Sequence, residues 1–135
     1  MATRIFLNLP VTDVAWSTTF YTALGFTRDA TFSTDQGAAM TLTDTIHVML
    51  LDHALYATFT PKPIADAHAV SAALIALGLD SRAAVDAMTE AAIAAGGREG
   101  HPPEDLGFMY SRAFEDPDGH SFGPFHMNMA ARPAA

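Results

Sequence analysis

The chain has no cysteine, few cations and no long apolar run, and each shortage removes a class of function. With zero Cys among 135 residues there is no disulfide framework, no thiolate zinc site and no thiol nucleophile. The same absence fits a cytoplasmic setting, which is the expected location. Seven Lys and Arg stand against 15 Asp and Glu, a formal charge of −8, and the cations are scattered singly. Such a chain repels phosphate backbones and anionic headgroups, so neither nucleic acid nor a membrane surface is an expected partner. Polar residues such as Asp44 and His47 break the apolar runs well short of the ~18–20 residues of a membrane span. The N-terminus enters a strand-like segment by Phe6 without a charged-then-apolar leader, so the mature chain is expected to begin here.

Half of the residues are apolar, enough for one core in one domain. Arg4 to Val11 reads as a strand closed by Pro10. Asp13 then caps a helix whose large residues Trp16, Phe20 and Leu24 recur at i+4 beside Tyr21, and Gly25 stops it. Strands are expected at Phe26–Phe32, Ala38–Leu42 and Ile46–Leu51. Thr60-Pro-Lys-Pro63 marks a connection over residues 53–68. Ser71–Leu79 reads as a strand, Asp80-Ser81 as a second N-cap, and Val85, Met88, Ala92 and Ala95 as one face of a helix ending at Gly96-Gly97. Strands near Arg98–His101, Phe108–Phe114 and His120–Met127 follow, the last after the turn Asp116-Pro-Asp-Gly119. The second half thus repeats the element order of the first, with corresponding helix ends at Gly25 and Gly96. A four-stranded sheet with one helix leaves a face uncovered, so the pair is expected to curve around a cup, the default ligand site.

Several of these residues carry a family resemblance. Val11-Thr-Asp13, Ser17, Phe20, Tyr21 and Leu24-Gly25-Phe26, with Phe114-Glu-Asp-Pro-Asp-Gly119-His120 downstream, resemble the signatures of the vicinal oxygen chelate superfamily of glyoxalases, bleomycin-resistance proteins and extradiol dioxygenases. Phe108-Met-Tyr110 and Thr60-Pro-Lys-Pro63 are most similar to its lactoylglutathione-lyase-like members. The resemblance implies an α+β fold of two βαβββ modules forming a curved mixed sheet around a cup, usually in a homodimer. It places one domain over residues 1–129, with modules at about 1–52 and 69–129, a linker at 53–68 and a tail at 130–135. It also implies His, Gln or Glu metal ligands on the first and fourth strands of each module. The matching positions hold Phe6, the neighbourhood of Met49, Leu50 and Leu51, the neighbourhood of Ala73, Leu74 and Ile75, and Gly123. None of these ligates a hard cation or zinc, so neither a metal nor another cofactor is expected.

The remaining polar residues have ordinary explanations. His47, His120 and His126 read as hydrogen-bonded histidines, and His53, His68 and His101 fall in loops. Glu115, Asp116 and Asp118 are accounted for by the turn they build. Ser17 has no triad context, and Gly96-Gly97 follows a helix instead of opening one, which argues against a phosphate loop. The expected cup lining is Phe6, Asn8, Met49, Leu51, Tyr56, Phe59, Met109, Tyr110, Arg112 and Phe125, with Asn8 and Arg112 orienting polar groups. The leading expectation is a metal-free protein that binds a small apolar or aromatic molecule. The alternatives are a metal-dependent glyoxalase-like lyase, isomerase or dioxygenase using His47, His120 or His126, and an oligomeric protein with no ligand.

Overall fold

The computed structural model describes residues 2–130. The first half consists of β1 (Ile5–Val11), α1 (Val14–Ala23), β2 (Thr27–Asp29), a single 3-10 turn (Ala30–Phe32), β3 (Gly37–Thr43) and β4 (Ile46–Asp52). After a one-turn helix α2 (His53–Tyr56) and an irregular connection, the second half holds β5 (Leu74–Gly78), α3 (Arg82–Ala94), β6 (Arg98–Glu99), β7 (Glu104–Asp105), β8 (Met109–Ser111), β9 (Phe114–Glu115) and β10 (Ser121–Met127). The first sheet is ordered β1-β4-β3-β2, with β1 parallel to β4 and the other pairs antiparallel. In the second sheet β5 runs parallel to β10, which pairs with β8 and β9, and these pair with β7 and β6. The fold is therefore α+β, two mixed sheets in a curled half-barrel.

The second sheet carries extra strand breaks for backbone reasons. β8 and β9 keep one register against β10, and the gap between them lies opposite Pro124, which has no N–H to donate. Its carbonyl still accepts from the Arg112 N–H at 3.0 Å. The edge strand shifts register across Pro102 and Pro103 and so divides into β6 and β7. The expected strand Phe26–Phe32 is shortened in turn, because the Asp29 side chain accepts from Thr31 N–H and winds the chain into the 3-10 turn. Ser71–Ala73, expected in a strand, precede β5 as loop. Of the expected tail, residues 131–135 lie outside the described residues.

The two longer helices, α1 and α3, begin and end as their sequences dictate. Asp13 accepts from Trp16 N–H and Ser81 from Ala84 N–H, while Gly25 and Gly96 take φ of +103° and +104° beyond the last turns. Phe20 and Tyr21 of α1 are fully buried. They meet Phe26 on their own side and Phe114 and Phe122 of the second sheet on the other, with Phe114 and Phe122 stacked at 5.3 Å. Val11, Met40, Val48 and Leu50 join Leu77, Met88 and Ala92 in this one core. The helix-bearing faces of both sheets thus share a core, and their other faces point away from it.

The Asp116–Gly119 turn fastens the halves together. Asp116 is buried and accepts from the backbone N–H of Asp118 and His120 through Oδ1 and from the Tyr21 hydroxyl, at 2.6 Å, through Oδ2. Asp118 accepts from the N–H and hydroxyl of Thr12, and His120 Nε2 lies 2.7 Å from the Pro10 carbonyl. Gly119 has φ +88°, and a Cβ there would stand 2.7 Å from the His68 nitrogen, so only glycine fits beneath the connection. Burial, followed by the Asp116 charge, pushes the Tyr21 phenol well above its usual value, and burial raises the Asp116 carboxyl.

Tyr21→Phe leaves a buried carboxylate oxygen without its donor and is expected to destabilise the fold by about 1–3 kcal/mol in urea unfolding. The wild-type phenol is held protonated in the folded state above the 10.0 of a free tyrosine, so its contribution persists below that pH and is lost as pH rises beyond it. Unfolding curves between pH 9 and 11 (roughly spanning the free phenol value) should therefore show the wild type losing more stability than Tyr21→Phe.

Candidate functional site

The outward face of the first sheet follows from strand alternation and register. Arg4, Phe6 and Asn8 share a face along the first strand, Phe6 lies opposite His47, and Asn8 lies opposite Met49. On β3, Met49 is paired with Ala39 and His47 with Thr41, and Ala39 is paired with Asp29 of β2. These residues and Phe32 of the 3-10 turn enclose a cavity of about 460 Å³. Its lining comes entirely from the first half of the chain.

Two aromatic groups define this cavity. Phe6 stacks on His47 at 4.4 Å with the rings 9° from parallel, yet remains 47% exposed. Phe32 is 71% exposed at the opposite side. His47 itself is buried, with Nδ1 2.9 Å from the Thr41 hydroxyl and Nε2 3.0 Å from the Arg4 guanidinium and 3.2 Å from the Asp44 carbonyl. Both ring nitrogens are therefore engaged within the protein. The Asn8 carboxamide makes no hydrogen bond among the described residues and also lines a second cavity, of about 230 Å³, beside Pro10, Tyr56, Ile75, His120 and Ser121. The two spaces adjoin at Asn8.

The expected lining divides. Phe6, Asn8 and Met49 come together in the larger cavity, and Tyr56 joins Asn8 in the smaller. Leu51 is on the same sheet face but is buried and packed toward Gly37. Phe59 is 68% exposed in the connection and lines neither cavity. Phe125 lies on the outward face of the second sheet with its ring over Gly78, on the same face as Ser111 and Met109.

Tyr110 and Arg112 turn the other way, which corrects the expectation that they line the cup with Phe6. Tyr110 is opposite His126 on the face covered by α3, and its hydroxyl donates to Asp86 at 2.6 Å. Arg112, 7% exposed, pairs with Asp86 at 3.1 Å, Glu90 at 2.8 Å and Glu99 at 2.7 Å. Burial works against the charged guanidinium, but the Glu99, Glu90 and Asp86 carboxylates outweigh it and raise the pKa. His126 has Nδ1 2.9 Å from the Leu79 carbonyl, and His120 is engaged with Pro10. Sequence reasoning missed Arg4, Asp29, Phe32, Ala39, Thr41 and His47 as lining residues of the larger cavity. The signal for Arg4 was present, because it has the same strand parity as Phe6 and Asn8.

The residues present do not fit the metal that the resemblance implies. The outward positions opposite one another on the paired first and fourth strands are Phe6 with His47 and Asn8 with Met49 in the first sheet. In the second they are Leu74 with Ser121 and Ala76 with Gly123. Only His47 belongs to a usual ligand type, and its nitrogens are taken by Thr41, Arg4 and Asp44. Among the described residues no three His, Cys, Asp or Glu side chains gather at metal-binding distance.

No curated protein matches the chain in sequence. Solved structures match its fold along nearly the whole length. A hypothetical protein from S. aureus is 24% identical over 93% of this chain and 94% of its own, with a TM-score of 0.78. A glyoxalase/bleomycin resistance protein/dioxygenase family enzyme from Burkholderia phytofirmans PsJN is 20% identical over 93% and 99%, with a TM-score of 0.75. The fosfomycin resistance protein FosX from Mesorhizobium loti is 18% identical over 99% of both chains, with a TM-score of 0.70. The model of the Glyoxalase/Bleomycin resistance protein/Dioxygenase superfamily matches residues 5–123, and with its paired mixed sheets the chain belongs to that superfamily.

Proposed function

We propose that the protein binds a small, flat, apolar or aromatic molecule on the outward face of its first sheet, without a metal or other cofactor. The observation that carries this reading is the cavity of about 460 Å³ walled by Phe6 and Phe32 and floored by Ala39 and Met49. Its size lies within the range of ligand pockets, and its lining combines aromatic surface with a few polar groups. Aromatic faces and a polarizable thioether supply affinity for flat molecules, and the unpaired Asn8 carboxamide orients a polar substituent. The side chains at the implied ligand positions favour binding without a metal over metal-assisted lyase, isomerase or dioxygenase chemistry.

The same reading includes a cytoplasmic homodimer. Among the described residues no helix is long and apolar enough to cross a membrane. Leu74, on the outward face of the second sheet, is 78% exposed beside Ala76, Gly78 and Phe125, an apolar surface that a second copy would cover. Members of the superfamily commonly dimerise.

A thermal-shift screen of small aromatic molecules tests the cavity. A ligand at one hundred times its Kd should raise Tm on the order of 10 °C. Phe6→Ala, at a half-exposed position, should weaken binding about tenfold while leaving unliganded Tm nearly unchanged. Equal shifts in wild type and Phe6→Ala would place binding elsewhere, and no shift with any compound would remove the ligand role. Light scattering should give a particle of two 14.3 kDa chains, reduced to one by Leu74→Glu.

A further inference from the structure

Arg4 is a cation held in place without a counter-charge. Its Nε donates to the Asp44 carbonyl at 3.2 Å, its Nη2 lies 3.0 Å from His47 Nε2, and its guanidinium stands 5.2 Å from the centre of the Phe6 ring. Arg82 and Arg112 are paired with carboxylates; among the described residues Arg28, Lys62 and Arg98 are not, and Arg4 differs from those three in lining the larger cavity. Arg4 makes no such pair among the described residues, in a chain where acids outnumber Lys and Arg 15 to 7.

His47 is part of what holds Arg4 in place. Its Nε2 lies 3.0 Å from Arg4 Nη2 and 3.2 Å from the Asp44 carbonyl, which also accepts from Arg4 Nε, and its Nδ1 is 2.9 Å from the Thr41 hydroxyl. His47 and the Asp44 carbonyl together hold Arg4 at the edge of the cavity. The Nη1 donors of Arg4 make no hydrogen bond among the described residues, at the edge of a cavity otherwise walled by aromatic and apolar groups.

We propose that the ligand is a flat aromatic carboxylate, its ring held between Phe6 and Phe32 and its carboxylate met by Arg4. This rests on the reading of the cavity as a ligand site and adds the charge of what fills it. Asp29, the other charged group in the lining, is on the far strand of the sheet. Three strand spacings separate β2 from β1, about 14 Å. The two form no ion pair among the described residues. A charge-assisted guanidinium–carboxylate contact favours the anion by roughly tenfold to a hundredfold over a neutral analogue. His47 is a positioning residue, acting through Arg4.

The test titrates 2-naphthoate, 2-naphthylmethanol and 2-naphthylmethylammonium by calorimetry into the full chain. The expected result is that 2-naphthoate binds at least tenfold more tightly than the alcohol and the ammonium binds most weakly. Arg4→Gln, at an exposed position, should abolish the preference for naphthoate, lowering the affinity for naphthoate at least tenfold more than that for the alcohol. His47→Leu should reduce the preference and His47→Gln, which retains an acceptor, should restore part of it. If the alcohol binds as well as naphthoate, or the preference survives Arg4→Gln, the assignment to Arg4 is overturned while the cavity reading stands. If none of the three binds, the cavity reading fails and the assignment fails with it.

Discussion

The buried bond from the Tyr21 hydroxyl to Asp116 joins a helix of the first half to a turn of the second, and the arrangement of both sheets depends on it. The carboxylate that receives the phenol also closes its own turn, through the N–H groups of Asp118 and His120. From the same turn Asp118 reaches Thr12 at the start of α1, and His120 reaches Pro10 at the end of β1. A buried acceptor with several donors resists displacement, because removing any one leaves part of its desolvation uncompensated. The helix is thereby fixed with its aromatic residues against both sheets. Tyr21 is at once a core residue and the donor that locates the second half.

That shared core decides where chemistry can occur. Residues alternate across each strand, so directing Val48, Leu50, Phe122 and Pro124 inward sends their neighbours outward. In the first sheet the outward set includes bulky Phe6, His47 and Met49 around small Ala39, which leaves a bounded space. In the second it includes Ala76, Gly78 and Gly123, which make a flatter surface. The same alternation places Tyr110 and Arg112 under α3, where three carboxylates of one helix and one edge strand neutralise a buried guanidinium. One family signature, the Asp-Pro-Asp-Gly turn, is thus retained for structure, while the positions that would hold a metal carry side chains of another kind.

Much of the architecture was legible in the chain because local geometry required it. Asp13 and Ser81 cap helices, Gly25 and Gly96 stop them, and Asp116 through Gly119 turn the chain, each by a short-range effect of backbone conformation or side-chain hydrogen bonding. Phe6, Asn8 and Met49 were legible as neighbours through strand parity alone. Arg112 was not, since a lone cation in an apolar strand looks the same whether it faces a ligand or the underside of a helix. Its partners Asp86, Glu90 and Glu99 are spread over two elements, and no spacing rule links them to it.

The sequence by itself determined the caps and stops of α1 and α3, the strands beside them and the turn that joins the halves, all properties of residue type and short spacing. Tertiary structure alone decided that His47 is buried against Phe6 and holds Arg4, that Phe32 lines the larger cavity from the 3-10 turn, and that Asn8 and Ser121, from the outward faces of the two sheets, line one smaller cavity. The reason is physical: short-range rules set the local conformation, whereas the partner of an exposed ring or an unpaired guanidinium depends on register between strands distant in sequence.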